Sequence, residues 1–93
     1  MDERTLWDLR DEITRVDEQM AELFAQRMQL SEKIAGIKRR EGLPVFDPAR
    51  EEENLKKAEE RAGDDIRPYY LAFLQKCMDL SKAYQEKLME EEK

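Results

Sequence analysis

The sequence predicts an all-α fold with three helices per chain, a long first, a short second and a long third. Three observations carry that prediction. An apolar heptad runs almost unbroken through the first forty residues. Apart from Gly36, the three glycines and three prolines fall only within 42–48 and 63–68, so long segments carry no breaker. Charged residues make up 43% and hydrophobic residues 40% of the chain, a mixture that suits amphipathic helices better than a sheet.

The first helix is expected over roughly residues 3 to 40. Leu6, Leu9, Ile13, Val16, Met20, Leu23, then Leu30, Ile34 and Ile37 recur at alternating steps of three and four, and Arg27 sits where the pattern calls for a core residue. Asp2 and Glu3 at the start and Lys38, Arg39 and Arg40 at the end suit the helix dipole. A helix of about 38 residues would be roughly 57 Å long at about 1.5 Å per residue. That is too long for a compact domain of 93 residues, so it should pair with a partner, most simply a second copy of itself.

Glu41-Gly42-Leu43-Pro44-Val45-Phe46 breaks the helix. Asp47-Pro48 then reads as an N-cap followed by proline at the first helical position. The second helix should run from Pro48 to about Arg61 and stop at Ala62-Gly63; it is polar, with Leu55 and Ala58 its clear apolar contacts after Ala49. The third should begin near Asp64 or Asp65, carry Pro68 in its first turn and continue towards Glu90. Its expected buried stripe is Tyr70, Phe73, Leu74, Cys77, Leu80, Tyr84 and Leu88, with Ser81 and Gln85 interrupting or bordering it. The tail Glu90-Glu91-Glu92-Lys93 places acid at a helix C-terminus and should fray. Residues 1–93 read as a single domain, short enough to lean on oligomerisation.

A formal net charge of −6 argues against a nucleic-acid partner, and means that a small anion must be held by a local cationic cluster. The single cysteine, Cys77, cannot form an intrachain disulfide, which fits a reducing compartment. No apolar run approaches the ~20 residues of a membrane span, and Met1-Asp2-Glu3-Arg4 lacks the apolar stretch of a signal peptide. The chain therefore reads as cytoplasmic, with no membrane partner.

The informative residues are polar ones where a plain bundle would place Leu or Ile. Arg27 at a heptad core position is costly unless it meets an anion. Arg10 and Lys38 flank the same seam, and Ser81 and Gln85 do the equivalent on the third helix. Arg50 and Glu51 follow the Asp47 cap. Each has a plainer reading: a register-setting arginine, solvated flank charges, ordinary polar breaks in a part-exposed helix, and a cap. Spacing narrows the choice. Arg27 and Lys38 lie about 16 Å apart along a helix, so their long side chains could reach the two ends of one small ligand. Arg10 is about 25 Å further along and cannot serve the same pocket from the same helix. If two long helices pair antiparallel, Arg10 of one subunit returns near Arg27 and Lys38 of the other, which points to shared sites in a symmetric dimer.

Taken together and in order, these residues resemble the all-helical class of chorismate mutases. The resemblance runs from about Leu6 to Gln85. It rests on Leu9-Arg10 with Ile13 and Asp17, Arg27 with Leu30, Ile37-Lys38, the loop Pro44-Val45-Phe46-Asp47, Arg50-Glu51, and finally Ser81 and Gln85. It implies an intertwined helical homodimer that rearranges chorismate to prephenate on the route to phenylalanine and tyrosine. It also implies roles. Arg10 of the partner subunit and Arg27 would clamp the two substrate carboxylates. Lys38 and Gln85 would donate to the ether oxygen of the breaking bond. Glu51, with Asp47 nearby, would hold the ring hydroxyl, Ser81 would assist at a carboxylate, and Arg50 would line the pocket.

The residue types suit that chemistry. A unimolecular pericyclic rearrangement needs no nucleophile, metal or obligatory proton transfer, so no cofactor is expected and the absence of histidine is unsurprising. It needs a flexible dianion held in a compact conformer, and donors aimed at an oxygen that gains negative charge. Two other readings remain open at this stage. One is an isochorismate pyruvate lyase of the same fold, using a similar cationic pocket. The other is a non-enzymatic dimeric helical interaction module, which has no need of Arg27 in its core.

Overall fold

In the computed structural model, which describes residues 2–91, Thr5 and Asp8 close a reciprocal cap on the first helix. The Thr5 hydroxyl accepts the Asp8 N–H at 3.1 Å and the Asp8 carboxylate accepts the Thr5 N–H at 3.0 Å, satisfying two donors that the helix start would otherwise orphan. The helix, α1, accordingly covers Leu6–Glu41. It begins later than the charge pattern suggested. Asp2 and Glu3 precede it, and the Asp2 carboxylate instead accepts from the Arg4 Nε at 2.9 Å. That bond to the guanidinium holds the Asp2 carboxyl below the ordinary range.

Gly42 ends α1 with a φ of +70°. The Leu43 N–H donates to the Lys38 carbonyl at 2.7 Å and the Gly42 N–H to the Arg39 carbonyl at 3.4 Å. This paired turn needs a left-handed residue, which glycine supplies without Cβ strain. After the break, the second helix, α2, covers Pro48–Glu59 with Asp47 as its cap; the Asp47 carboxylate accepts the Arg50 N–H at 3.1 Å.

α2 is about a half-turn shorter than the expected run to Arg61, and Arg67 contributes to the reason. Its guanidinium donates to the Glu59 carbonyl at 2.8 Å and to the Ala62 carbonyl at 3.2 Å. A cation thus sits where the helix dipole is negative. The N–H groups of Ile66 and Arg67 both turn to the Gly63 carbonyl, at 3.2 and 2.9 Å. The third helix, α3, therefore begins at Arg67 rather than at Asp64 or Asp65, and runs as Arg67–Glu91. Of the acidic tail expected to fray, Glu90 and Glu91 are helical, and Glu92 and Lys93 lie outside the described residues. No strand occurs among the described residues, so the fold is all-α as expected.

The chain divides into two compact units, one up to Leu30 and one from Ser31 onwards. In the N-terminal unit, Leu6, Ile13, Val16, Met20, Leu23 and Leu30 are 43–62% exposed, so the heptad stripe is uncovered within a single chain. In the C-terminal unit α2 packs on α3, with Ala58 fully buried and the Asn54 amide donating to the Met78 sulfur at 3.7 Å. Here the expected stripe of α3 is corrected. Cys77 is buried and Tyr70, Leu74, Tyr84 and Leu88 are half-buried, but Phe73 and Leu80 are exposed at 49% and 39%. The buried face instead takes in Met78 together with Ser81 and Gln85, the two residues expected at the border of the stripe. That face carries the contact with α2 and the Ser31–Ser81 hydrogen bond. No large side chain among the described residues is fully buried. No helix among them is long and apolar enough to cross a membrane.

Candidate active site

Ser81 and Gln85 stand one turn apart on α3, at 8% and 5% exposure. The Gln85 Nε2 donates to the Ser81 Oγ at 3.3 Å. Ser31, near the end of α1 and 3% exposed, hydrogen-bonds the same Ser81 hydroxyl through its own. Its neighbour one turn on, Ala35, is also buried, so α1 presents two small residues where α3 presents its polar pair. The Gln85 Oε1 has no hydrogen-bond partner in this buried setting. An unpaired buried carbonyl oxygen costs about 1–3 kcal/mol, which makes this amide the least satisfied group of the cluster.

Lys38 is half-buried on the last full turn of α1. Its Nζ donates to the Val45 carbonyl at 2.7 Å, while its main-chain carbonyl accepts from Leu43. The residue therefore organises the loop that leads to Asp47, and its ammonium is fixed rather than free in solvent.

Asp47 is the cap of α2, as the sequence reading gave it. Arg50 points along the exposed side of α2 and pairs with Glu53 at 3.4 Å. Glu51, in the first turn, points the other way. Its carboxylate accepts from the Gln75 Nε2 at 3.2 Å and pairs with the Lys82 Nζ at 2.8 Å, with its side chain 17% exposed. Lys82 also approaches Asp79 at 3.3 Å and stands 4.7 Å over the Phe46 ring. The hydrogen bond to Glu51, first among these, raises the Lys82 pKa above its ordinary value. A shallow depression lined by Phe46, Asp79, Lys82, Ala83 and Glu86 adjoins this ion pair.

Arg10 and Arg27 belong to the N-terminal unit. Arg10 is exposed, with its guanidinium 5.1 Å over the Trp7 ring. Arg27 is half-buried.

Six of the expected site residues, Lys38, Asp47, Arg50, Glu51, Ser81 and Gln85, thus fall in the C-terminal unit, and two of them, Ser81 and Gln85, are in direct contact. The sequence reading missed Ser31, Gln75 and Lys82. Ser31 and Ala35 form a small-residue pair at a one-turn spacing, but Ala21 and Ala25 do the same on this helix, so the local sequence does not single Ser31 out. Chemically, the unit offers an ammonium and a buried amide able to donate to an oxygen, and a carboxylate on α2 able to accept from a hydroxyl. Among these groups the structure shows direct contact only within the Ser31–Ser81–Gln85 cluster and within the Glu51–Gln75–Lys82 cluster. The set contains no nucleophile paired with a base.

Comparison with known proteins shows the family. The family model described as chorismate mutase type II matches residues 9–86. A T-protein of Haemophilus influenzae is 41% identical over 46 residues, which cover 50% of this chain and 12% of that protein. A bifunctional chorismate mutase/prephenate dehydratase of Aquifex aeolicus is 40% identical over 52 residues, covering 56% of this chain and 14% of that protein. A T-protein of Enterobacter agglomerans is 42% identical over 43 residues, covering 46% and 12%. The matched stretch is therefore a small part of each relative's length. No solved structure matches.

Proposed function

We propose the reaction from a family and a site together: the chain belongs to the chorismate mutase type II family, and it rearranges chorismate to prephenate. The observation that carries this reading is the buried Gln85 amide within the family-matched span, whose NH₂ is a hydrogen-bond donor set at a shielded position. A hydrophobic bundle has no use for such a group, whereas a reaction that builds negative charge on an ether oxygen does.

The chemistry then follows from the residues. Chorismate is a dianion whose reactive conformer must be held compactly, an orientation task suited to guanidinium–carboxylate pairing. Arg27 and the partner's Arg10 supply it. As the C–O bond breaks, Lys38 and Gln85 donate to the ether oxygen. Each such donor is worth about 3 kcal/mol of barrier if preorganised in a dry site. Glu51 accepts from the ring hydroxyl beside Asp47, Ser81 assists at a carboxylate, and Arg50 lines the pocket. No proton transfer, metal or cofactor is required for a concerted shift of six electrons.

The site is completed by a second copy of the chain. The support is the uncovered heptad stripe from Leu6 to Leu30, together with the distance of about 25 Å along α1 that separates Arg10 from Arg27. Antiparallel pairing covers the stripe and brings the partner's Arg10 to the ligand.

The test is to add purified protein to chorismate and follow the loss of its ultraviolet absorbance, with isochorismate in a parallel reaction. Conversion of chorismate to prephenate is the expected result. A well-folded dimer that leaves chorismate untouched would sink the assignment, and pyruvate release from isochorismate alone would replace it with the lyase. Gln85→Glu sharpens the site. A glutamine donates at any pH, but a glutamate must be protonated to do so. The parent's activity should stay level through neutral pH, and that of the variant should fall as pH rises through the new carboxyl's pKa. A variant profile as flat as the parent's removes Gln85 from the ether oxygen.

A further inference from the structure

We propose that Ser31 is a positioning residue for the rearrangement: with Ser81 it forms a one-way hydroxyl relay that sets which end of the Gln85 amide faces the substrate. The inference rests on the chorismate reading above and assigns a residue which that reading leaves out.

The argument is an accounting of donors and acceptors. Three buried side chains share this cluster: Ser31 at 3%, Ser81 at 8% and Gln85 at 5% exposure. The two hydroxyls are hydrogen-bonded to each other and either can be the donor. The Gln85 Nε2 lies 3.3 Å from the Ser81 Oγ, and the Oε1 at the other end is unpartnered. Rotating the amide by half a turn exchanges its oxygen and nitrogen at nearly the same positions. The Ser81 hydroxyl then donates to Oε1, the Ser31 hydroxyl donates to Ser81 Oγ, and the amide NH₂ takes the place where Oε1 now stands.

A bound ligand decides between the two arrangements. The ether oxygen and carboxylates of the substrate only accept hydrogen bonds. An orphaned Oε1 facing them would be repelled, whereas an NH₂ facing them is satisfied. The productive arrangement needs a donor from Ser81 into Oε1, and Ser81 can donate only one proton. If that proton goes to Gln85, the Ser81 hydroxyl is not available to donate to a substrate carboxylate, the role the family resemblance implied. Its own oxygen then gains from a donor behind it, which Ser31 is placed to be. Ser31 touches no substrate in this scheme and acts wholly through Ser81.

The experiment is a mutant cycle on steady-state turnover of chorismate, with melting curves to establish folding. Ser31→Ala is expected to lower kcat about tenfold with KM within a factor of two, because the amide loses its bias in the transition state but binding is otherwise intact. Ser81→Ala is expected to lower kcat at least as much. The double variant should be no slower than Ser81→Ala alone, because the relay is already cut there. Multiplying losses in the double variant would overturn the relay, as would an unchanged kcat in Ser31→Ala or a loss confined to KM. If Ser31→Ala fails to fold, Ser31→Thr keeps the hydroxyl and should retain near-parental kcat; a folded Ser31→Thr with a tenfold lower kcat would also overturn it. A parent that does not convert chorismate removes the reaction and the relay together, whereas an active parent with an indifferent Ser31 removes only the relay.

Discussion

The two units of this chain treat their apolar and polar residues in opposite ways. Up to Leu30, the large aliphatic side chains of the heptad are exposed, Leu23 as much as 62%. From Ser31 onwards, the buried positions belong mostly to small or polar residues: Ser31, Ala35, Ala58, Ala62, Ser81 and Gln85, with Cys77 and Met78. Neither pattern makes a self-sufficient core, since the hydrophobic term depends on large apolar area leaving water. One unit offers apolar surface with nothing over it. The other spends its best-shielded volume on hydrogen-bonding groups. The contrast separates exposed apolar surface in the first unit from shielded hydrogen-bonding groups in the second.

Substitutions can break or sharpen that division. The largest effect should come from Lys38→Ala in the C-terminal unit. We expect kcat for chorismate to fall by about 10²–10³-fold, near the loss seen when one preorganised donor is removed, with sedimentation unchanged. A variant that keeps most of its turnover would move the ether-oxygen donor elsewhere.

Next comes Leu23→Glu in the N-terminal unit. An exposed residue of a monomer can be changed within about 0.5 kcal/mol, so the single-chain view predicts almost nothing. The proposed pairing predicts a monomer by sedimentation and a melting temperature lower by on the order of 10 °C. A Leu23→Glu protein that still sediments as a dimer would break the comparison at its first unit.

Gly42→Ala is smaller. The φ of +70° there costs an L-residue about 1–2 kcal/mol, or roughly 4–8 °C in melting temperature for each kcal/mol. Because the Leu43 bond holds the Lys38 turn, a melting change without any change in kcat would show that the turn supports the fold alone.

The smallest effect is a pH effect. The Thr5 N–H, the first cause, holds the Asp8 carboxyl below its ordinary 3.8. A lowered folded pKa contributes stability that is present above the ordinary value and is lost as pH falls through the folded one. Helix content followed by circular dichroism from pH 6 to pH 2 should therefore show an acid-induced loss in the parent that is reduced in Asp8→Asn. Identical curves would remove the cap from the account.

Much of this was legible beforehand, for identifiable reasons. The Asp47-Pro48 start and the Gly42 stop are local chemistry, and each appears where the sequence puts it. The Thr5–Asp8 cap was equally local but was masked by the acids at 2 and 3, which drew the helix start too early. Ser31 and Lys82 were not legible. Ser31 is buried only because Ser81, fifty positions away, faces it, and no local periodicity encodes such a pairing. Lys82 follows Ser81 in sequence and reads as a solvated charge until Glu51, on another helix, is seen 2.8 Å away. The face that α3 buries was misjudged for the same cause. Hydrophobicity marked the stripe through Phe73 and Leu80, while the contact with α2 and the Ser31 hydroxyl lie on the edge that carries Met78, Ser81 and Gln85.

Lys38 shows what the loop after α1 accomplishes. Its carbonyl closes the turn at Leu43 and its ammonium closes the loop at Val45. A lysine stem ordinarily surrenders about 1.5–2 kcal/mol of rotamer entropy when it is immobilised. In this chain the surrender accompanies folding, before any ligand arrives. In the role proposed for Lys38, a substrate oxygen would meet a side chain that is already ordered, so that affinity would not be reduced by ordering it.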